Sequence, residues 1–340
     1  MRFGVLEDFR NLPGSMRPPA ELYSQLIEQV VLVEELGFDD VWLTEHHFIP
    51  GGYSSSPLME AAAIAVRTSR IRIGTYVLLM PFAHPVRLAE DVAAVDILSN
   101  GRFDLGIGQG YVHAEFDGFA IPRSERAQRM EEGIVLLQRL FEEENVHFEG
   151  RFTQVGGATL SPKPIQQPGP PVWIGARGEK AIRRAARLGC HLMCTLGPDP
   201  APMYISALED EGRDPKEFSI AQLRVVYVAE TEDQAWEECG PYLKEMINFY
   251  APILSQAADV PGDTEFRSFE GTAELRDSEF GRSTMIGNPD QVSEKLREFQ
   301  ANFQASHLAM ATQFPGMDPA VANESLKLFA REVMPEFKDS

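Results

Sequence analysis

Glu45-His46-His47-Phe48 follows, after Thr44, the apolar run Val41-Trp42-Leu43, where a buried strand gives way to a loop. Histidine is the side chain whose unperturbed proton affinity lies nearest neutral pH, so a histidine at such a strand end is placed for acid–base work. In a closed barrel of parallel strands, the carboxyl ends form the face where catalytic groups gather. Neighbouring residues on an extended chain point to opposite sides, so His46 and His47 are ill suited to holding one metal ion together. No H-E-x-x-H or comparable ligand spacing accompanies them, and the expected metal set is none. The pattern favours one functional histidine at the barrel mouth, with its neighbour packed or hydrogen-bonded behind it. Two purely structural histidines are the competing reading.

Three further stretches could carry chemistry. Gly106-Ile107-Gly108-Gln109-Gly110-Tyr111 has alternating glycines, but Tyr111 stands where a dinucleotide fingerprint needs its last glycine. Alternate glycines on a strand clear one face for close approach of a flat ligand; tight packing at the barrel neck would demand them equally. Ile174-Gly175-Ala176-Arg177-Gly178-Glu179-Lys180 reads as a small-residue turn entering a helix. There, unpaired N–H groups, the helix dipole and the two cations Arg177 and Lys180 would suit a phosphate. Arg126 lies in the first turn of a long helix, where the dipole disfavours a cation, so an anionic partner would explain it; a solvated arginine paired with Glu125 is the alternative. Phe48, Tyr53, Met80, Phe82, Tyr111, Phe116 and Phe119 cluster near the same strand ends and would suit the walls of an apolar pocket. Cys190 and Cys194 form a lone C-x3-C, weak evidence for a metal, and with Cys239 they offer no disulfide framework.

The chain must position these groups. Its 340 residues are 44% hydrophobic and 24% charged, enough for a substantial core. A net charge of −20 argues against nucleic acid or acidic membrane surfaces as partners. There is no leader-like start and no apolar run of spanning length, so a soluble, cytoplasmic protein is expected. Strand and helix signals alternate throughout. Strands are predicted over 2–8, 39–45, 71–79, 102–109, 172–176, 191–196, 219–229 and 307–312. Helices are predicted over 19–36, 57–68, 84–98, 124–144, 178–188, 203–211, 233–249, 289–302 and 319–334. Eight strand–helix units are the number that closes a (β/α)8 TIM barrel in a single α/β domain. Residues 251–285 break the pattern; they are polar, rich in Gly and Pro, and read as a mobile lid or disordered insertion.

Taken together, the chain resembles the bacterial luciferase-like family of flavin-dependent monooxygenases over nearly its whole length. The resemblance rests on Phe38 to Phe48, on Ala83-His84-Pro85-Val86-Arg87, on Gly101-Arg102-Phe103, and on Leu326-Lys327-Leu328-Phe329 with Val333-Met334-Pro335. It implies the barrel, FMN used as FMNH2 from a separate flavin reductase, and O2 captured as a flavin hydroperoxide. A small apolar substrate, such as an aldehyde or ketone, would then be oxidised, and the protein would act as a homodimer. It implies a catalytic role for His46 alone, and a cis peptide under the flavin at Tyr76-Val77. Cofactor contacts would come from Glu45, Tyr76, Val77, Gly108, Gln109, Gly110, Arg126, Ala176, Arg177 and Gly178. The chain departs from luciferases at Gly108, where they carry a reactive cysteine, and at Gln109, where they carry an arginine. Light emission does not follow. Relatives using a deazaflavin coenzyme for hydride transfer offer the alternative chemistry, and a non-catalytic flavin-binding protein is a third class.

Overall fold

The computed structural model describes residues 1–11, 17–50, 52–256 and 267–338. Eight parallel strands form the barrel: β1 (Arg2–Glu7), β2 (Asp40–Leu43), β3 (Arg72–Thr75), β4 (Phe103–Gly108), β5 (Val172–Gly175), β6 (His191–Thr195), β7 (Ile220–Val228) and β8 (His307–Ala311). Each pairs with the next, and β8 returns to β1 from Arg2↔His307 to Val5↔Met310, so the sheet has no open edge. Around it run α1 (Pro19–Glu35), α2 (Pro57–Ala65), α3 (Pro85–Leu98), α4 (Arg126–Glu142), α5 (Glu179–Arg187), α6 (Ala201–Asp210), α7 (Glu232–Gln256), α8 (Pro289–Asn302) and α9 (Pro319–Leu328). The fold is the expected (β/α)8 barrel.

Local sequence explains the elements. In α1, Leu22, Leu26, Val30 and Val33 fall on one face and are buried against the barrel, with Pro19 at the first helical position. Gly37 ends it at φ +88°, its N–H bonding to Glu34 O while Phe38 N–H reaches Val33 O. Along the strands, alternate residues face the helices or the bore. Phe3, Val5, Val41, Leu43, Ile73, Phe103, Leu105 and Ile107 join the main core outside the barrel. Trp42, Tyr76, Trp173, Met193, Ala221 and Ala309 fill the bore itself. The flanking glycines make room for the indole of Trp42: a Cβ on Gly4 or Gly74 would lie 2.6 or 2.2 Å from it.

At the amino ends of the strands the bore is plugged by charge. Arg2 bonds Asp40 at 2.8 Å, Arg72 bonds Asp104 at 2.6 Å, and Trp173 Nε1–H donates to Asp104 at 3.1 Å. Burial pushes Asp40 up to about 7. Burial, reinforced by Arg2, His191 and Arg72, pushes His307 down to about 3. This floor lies at the end of the barrel opposite His46.

Several boundaries differ from expectation for identifiable reasons. The third strand does not run through 71–79; the cis bond between Tyr76 and Val77 divides it into β3 and a two-residue strand, Leu78–Leu79. The Pro-rich connection after α4 contains an antiparallel hairpin, Val146–Glu149 with Gln154–Ala158, whose glycines and short length hid it. α7 runs to Gln256 although Pro241 and Pro252 lie inside it. Residues 257–266 of the expected lid lie outside the described residues. The remainder holds helices Thr272–Asp277 and Glu279–Ser283 and a short strand, Met285–Gly287, on β7.

The tightest backbone approach in the barrel is at β4. Gly106 bonds Thr75 Oγ1 through both its N–H and its carbonyl, and a Cβ there would lie 1.8 Å from the Thr75 carbonyl oxygen. Backbone cannot yield as a flexible side chain can. Gly106→Ala is therefore expected to cost more than about 2 kcal/mol of stability in denaturant unfolding. An unchanged unfolding midpoint would refute this account of the neck.

Candidate active site

The two histidines leave β2 in opposite directions. His46 is buried, and its Nδ1–H donates to Glu115 Oε1 at 2.8 Å. Glu115, from the short helix His113–Gly118, is fully buried, and the same oxygen accepts the backbone N–H of His47 at 2.9 Å. As an acceptor of both, the carboxylate orients the imidazole and leaves Nε2 with its lone pair outward. The Tyr111 hydroxyl lies 3.5 Å from Nε2.

Three phenols surround that imidazole. Tyr53 lies edge-on at 4.8 Å between ring centroids, Tyr111 at 5.8 Å and Tyr250 of α7 at 6.1 Å. The hydroxyls of Tyr53 and Tyr250 are 2.7 Å apart, and Thr44 Oγ1 is 3.2 Å from Tyr53. Burial holds both phenols above the usual tyrosine range. They stay protonated at neutral pH and act as neutral donors.

His47 occupies different ground. Its Nε2 is 2.8 Å from Glu45 Oε1, while Glu45 Oε2 accepts the Leu79 N–H at 2.6 Å. Glu45 thereby ties the β2 loop to the segment after the cis bond. Phe82 stacks on Phe119 at 4.6 Å, and both contact His47. A groove of about 400 Å³ opens beside this cluster, lined by Glu45, His47, Met59, Phe82, His84 and Phe119 among others, but not by His46.

A model of the luciferase-like monooxygenases matches residues 1–304. The chain belongs to the luciferase-like monooxygenase family. One relative is the oxygenase component of a flavin-dependent trigonelline monooxygenase from Acinetobacter baylyi; it is 26% identical, with 100% of this chain and 96% of the relative covered. An F420-dependent glucose-6-phosphate dehydrogenase from Amycolatopsis mediterranei is 29% identical over 92% of this chain and 94% of its own. The solved structure of a monooxygenase from Streptomyces bottropensis aligns with a TM-score of 0.85 at 28% identity, covering 99% of this chain and 100% of that one. Relatives of both chemistries thus share the barrel.

The residues that the family resemblance singles out fall around one barrel end, in varied settings. Tyr76 turns into the bore, where its hydroxyl donates to Cys194 O at 2.7 Å. Val77 is half-buried and occupies the space beside two glycines; a Cβ on Gly108 or Gly175 would lie 2.3 or 3.0 Å from its side chain. The alternating glycines thus admit Val77 and the Thr75 carbonyl, so packing accounts for Gly106 and Gly108 without a flat ligand on that face. Gln109 and Gly110 lead on to Tyr111, and Gly110, at φ +72°, faces the Phe116 ring. Arg126 opens α4 and donates to Arg123 O at 3.0 Å, while Glu125 pairs with Arg129 at 2.8 Å. Arg123 in turn donates to Tyr111 O at 3.2 Å, joining the start of α4 to the His46 wall. Ala176 O accepts the Cys194 thiol, and Gly178 starts α5 at φ +79° with no side-chain cap on its leading N–H groups.

Of the expected pocket walls, only Tyr53 and Tyr111 stand against His46. Phe48, Phe82, Phe116 and Phe119 belong with His47, and Met80 packs in the core against Gly133. Glu115, Tyr250 and Arg10 were not singled out by the sequence. Glu115 had one available signal, an acid next to Phe116 and four residues after Tyr111. Tyr250 and Arg10 had none, since only the closed barrel brings them to Tyr53.

The loop bearing Tyr53 is held from behind by Glu60, which accepts from Ser54 Oγ at 2.6 Å, while Ser54 O accepts the His46 N–H. Burial, with Asp8 and Glu45 adding repulsion, pushes the Glu60 carboxyl up to about 7. The folded state therefore holds this proton more tightly than the unfolded state. Its contribution to stability is complete below about pH 4.5 and fades as pH rises through 7. Glu60→Gln should match the native protein near pH 4 and exceed it by up to about 3 kcal/mol at pH 8. Urea melts at the two pH values measure this, and equal stability of the two proteins at pH 8 would contradict it.

Proposed function

We propose that this luciferase-like protein is the oxygenase of a two-component system, binding FMNH2 delivered by a separate reductase and using O2 to oxidise a small apolar organic molecule of the aldehyde or ketone class. In this reading it works as a homodimer. The observation that carries it is His46, oriented through Nδ1 by a fully buried carboxylate and presenting Nε2 among three phenols. The whole-length relative with flavin-dependent monooxygenase chemistry and the solved monooxygenase at TM-score 0.85 support it.

The residues fit the cofactor. The uncapped start of α5 at Gly178, beside Arg177 and Ala176, would receive the phosphate, and Arg126 at the start of α4 would offer a further cation. Half-buried Val77, with Tyr76 below, would carry the ring, bordered by Gly108, Gln109, Gly110 and the loop that Glu45 pins. Reduced FMN supplies the two electrons by which one atom of O2 enters the substrate and the other leaves as water. The chain's own role is to keep Nε2 of His46 able to take or return a proton, to hold substrate oxygen through the Tyr53 and Tyr250 hydroxyls, and to exclude water with the aromatic wall.

Hydride transfer with the deazaflavin coenzyme F420 is the second reading, favoured by the 29% identical dehydrogenase. Anaerobic titration with FMNH2 and with reduced F420 separates them; tight F420 binding with no FMN binding reverses the order. His46→Ala is expected to leave flavin affinity nearly intact and lower coupled turnover by about 10²-fold. An unchanged rate removes His46 from the mechanism. Glu115→Gln, which keeps the volume but not the charge, should lower turnover by roughly 10-fold at unchanged flavin affinity, as expected for a lost orienting group. Full activity in that variant would reduce Glu115 to packing.

A further inference from the structure

Arg10 is the one buried arginine among the described residues whose guanidinium nitrogens all lack a hydrogen-bond partner. It follows β1 at the carboxyl end of the barrel, is 3% exposed, and none of its Nε, Nη1 and Nη2 makes a hydrogen bond to any described residue. A guanidinium carries five donors and does not lose its proton, so burying it unbonded is expensive. Other arginines in this molecule meet that demand. Arg102 donates to Ser99, Thr68, Ile71 and Ala65, and the equally buried Arg224 donates to Gln222 and Leu223. Arg10 has only aromatic faces, Phe249 at 4.7 Å, Tyr250 at 5.3 Å and Tyr53 at 5.5 Å, and a long ion pair to Asp8 at 3.7 Å. Asp8 is partly engaged elsewhere, its Oδ1 accepting the Arg10 backbone N–H at 3.0 Å. A small cavity of about 10 Å³ touching Asp8, Arg10, Asn11 and Gln313 has room for one water. One water answers at most two of the five donors.

The rings that clasp Arg10 are also the rings around His46. Tyr53 and Tyr250, joined through their hydroxyls, border the imidazole on one side and the guanidinium on the other. Pro252, two residues beyond Tyr250, has no N–H to give to the hydrogen-bond ladder of α7. We propose that Arg10 is the substrate-recognition residue and that the substrate carries a carboxylate in addition to its aldehyde or ketone group. Its carboxylate takes the guanidinium fork, its apolar body lies along Tyr53 and Tyr250, and its reacting carbon is delivered to His46. A carboxylate matches the planar fork with two parallel bonds and supplies the counter-charge that Asp8 gives only at a distance. The placement of the reacting carbon rests on the monooxygenase reading; the recognition of the anion does not.

The test is direct binding to the full chain, with and without FMN, by calorimetry. The probes are benzoate and cyclohexanecarboxylate, each against its neutral amide, with chloride as the simple-anion control. Both acids are expected to bind at least 10-fold more tightly than their amides. Arg10→Lys should weaken acid binding about 10-fold, and Arg10→Met should abolish the preference. Equal affinity for acid and amide, or an Arg10→Met protein that keeps the preference, overturns the proposal. If Arg10→Met does not fold, the acid–amide comparison on the native chain decides alone. Acid preference in a protein that binds no FMN would keep Arg10 in its role and discard the monooxygenase reading; FMN binding without acid preference would do the reverse.

Discussion

One carboxylate oxygen organises the whole mouth of the barrel. Glu115 Oε1 accepts from the imidazole of His46 and from the backbone of His47, so it fixes both where the chain turns out of β2 and which way the ring faces. An extended chain alternates its side chains in any case, but it does not choose a tautomer or a tilt. The buried acid makes that choice. It comes from a separate loop, 69 residues further along the chain, so the arrangement exists only once the barrel has closed. Glu45 acts similarly nearer the surface, joining His47 to the segment that follows the cis bond.

The two barrel ends treat charge oppositely. At the floor, Arg2 with Asp40 and Arg72 with Asp104 form close pairs that leave Arg2 Nε and Asp40 Oδ2 without hydrogen-bond partners, and His191 and His307, both pushed down by burial, lie beside them. At the mouth, Glu115 Oε2 and the Arg10 guanidinium are buried without hydrogen-bond partners among the described residues, and Glu7 nearby in sequence is buried likewise. Unsatisfied polar groups in a native interior call for a reason, and a ligand bound at the mouth would supply one for Arg10.

The architecture was readable from sequence because alternating periodicity is a local property. Eight apolar runs, most of them followed by a helix with Pro near its start or Gly after its end, are enough to specify a closed parallel sheet. The functional strand end was also legible, since His46 follows an apolar run and needs no partner to be noticed. What escaped were relations across the barrel. The glycines of β4 looked like a platform for a ligand, yet their space belongs to Val77 and to the Thr75 carbonyl on the neighbouring strand. The aromatic residues looked like one wall, but alternation at the end of β2 splits them between two histidines. Glu115, Tyr250 and Arg10 reach the site only through contacts between residues far apart in the chain, which no periodicity encodes.

The indole of Trp42, seated between Gly4 and Gly74 and backed by Tyr76, Trp173 and Met193, makes the bore solid from side to side. There is consequently no back door along the barrel axis. A guest approaching His46 along the barrel axis would therefore arrive and depart through the mouth, so occupancy there becomes a matter of queueing. A large flat guest resting in the doorway would have to be seated after a smaller one lying deeper, and would have to leave before it.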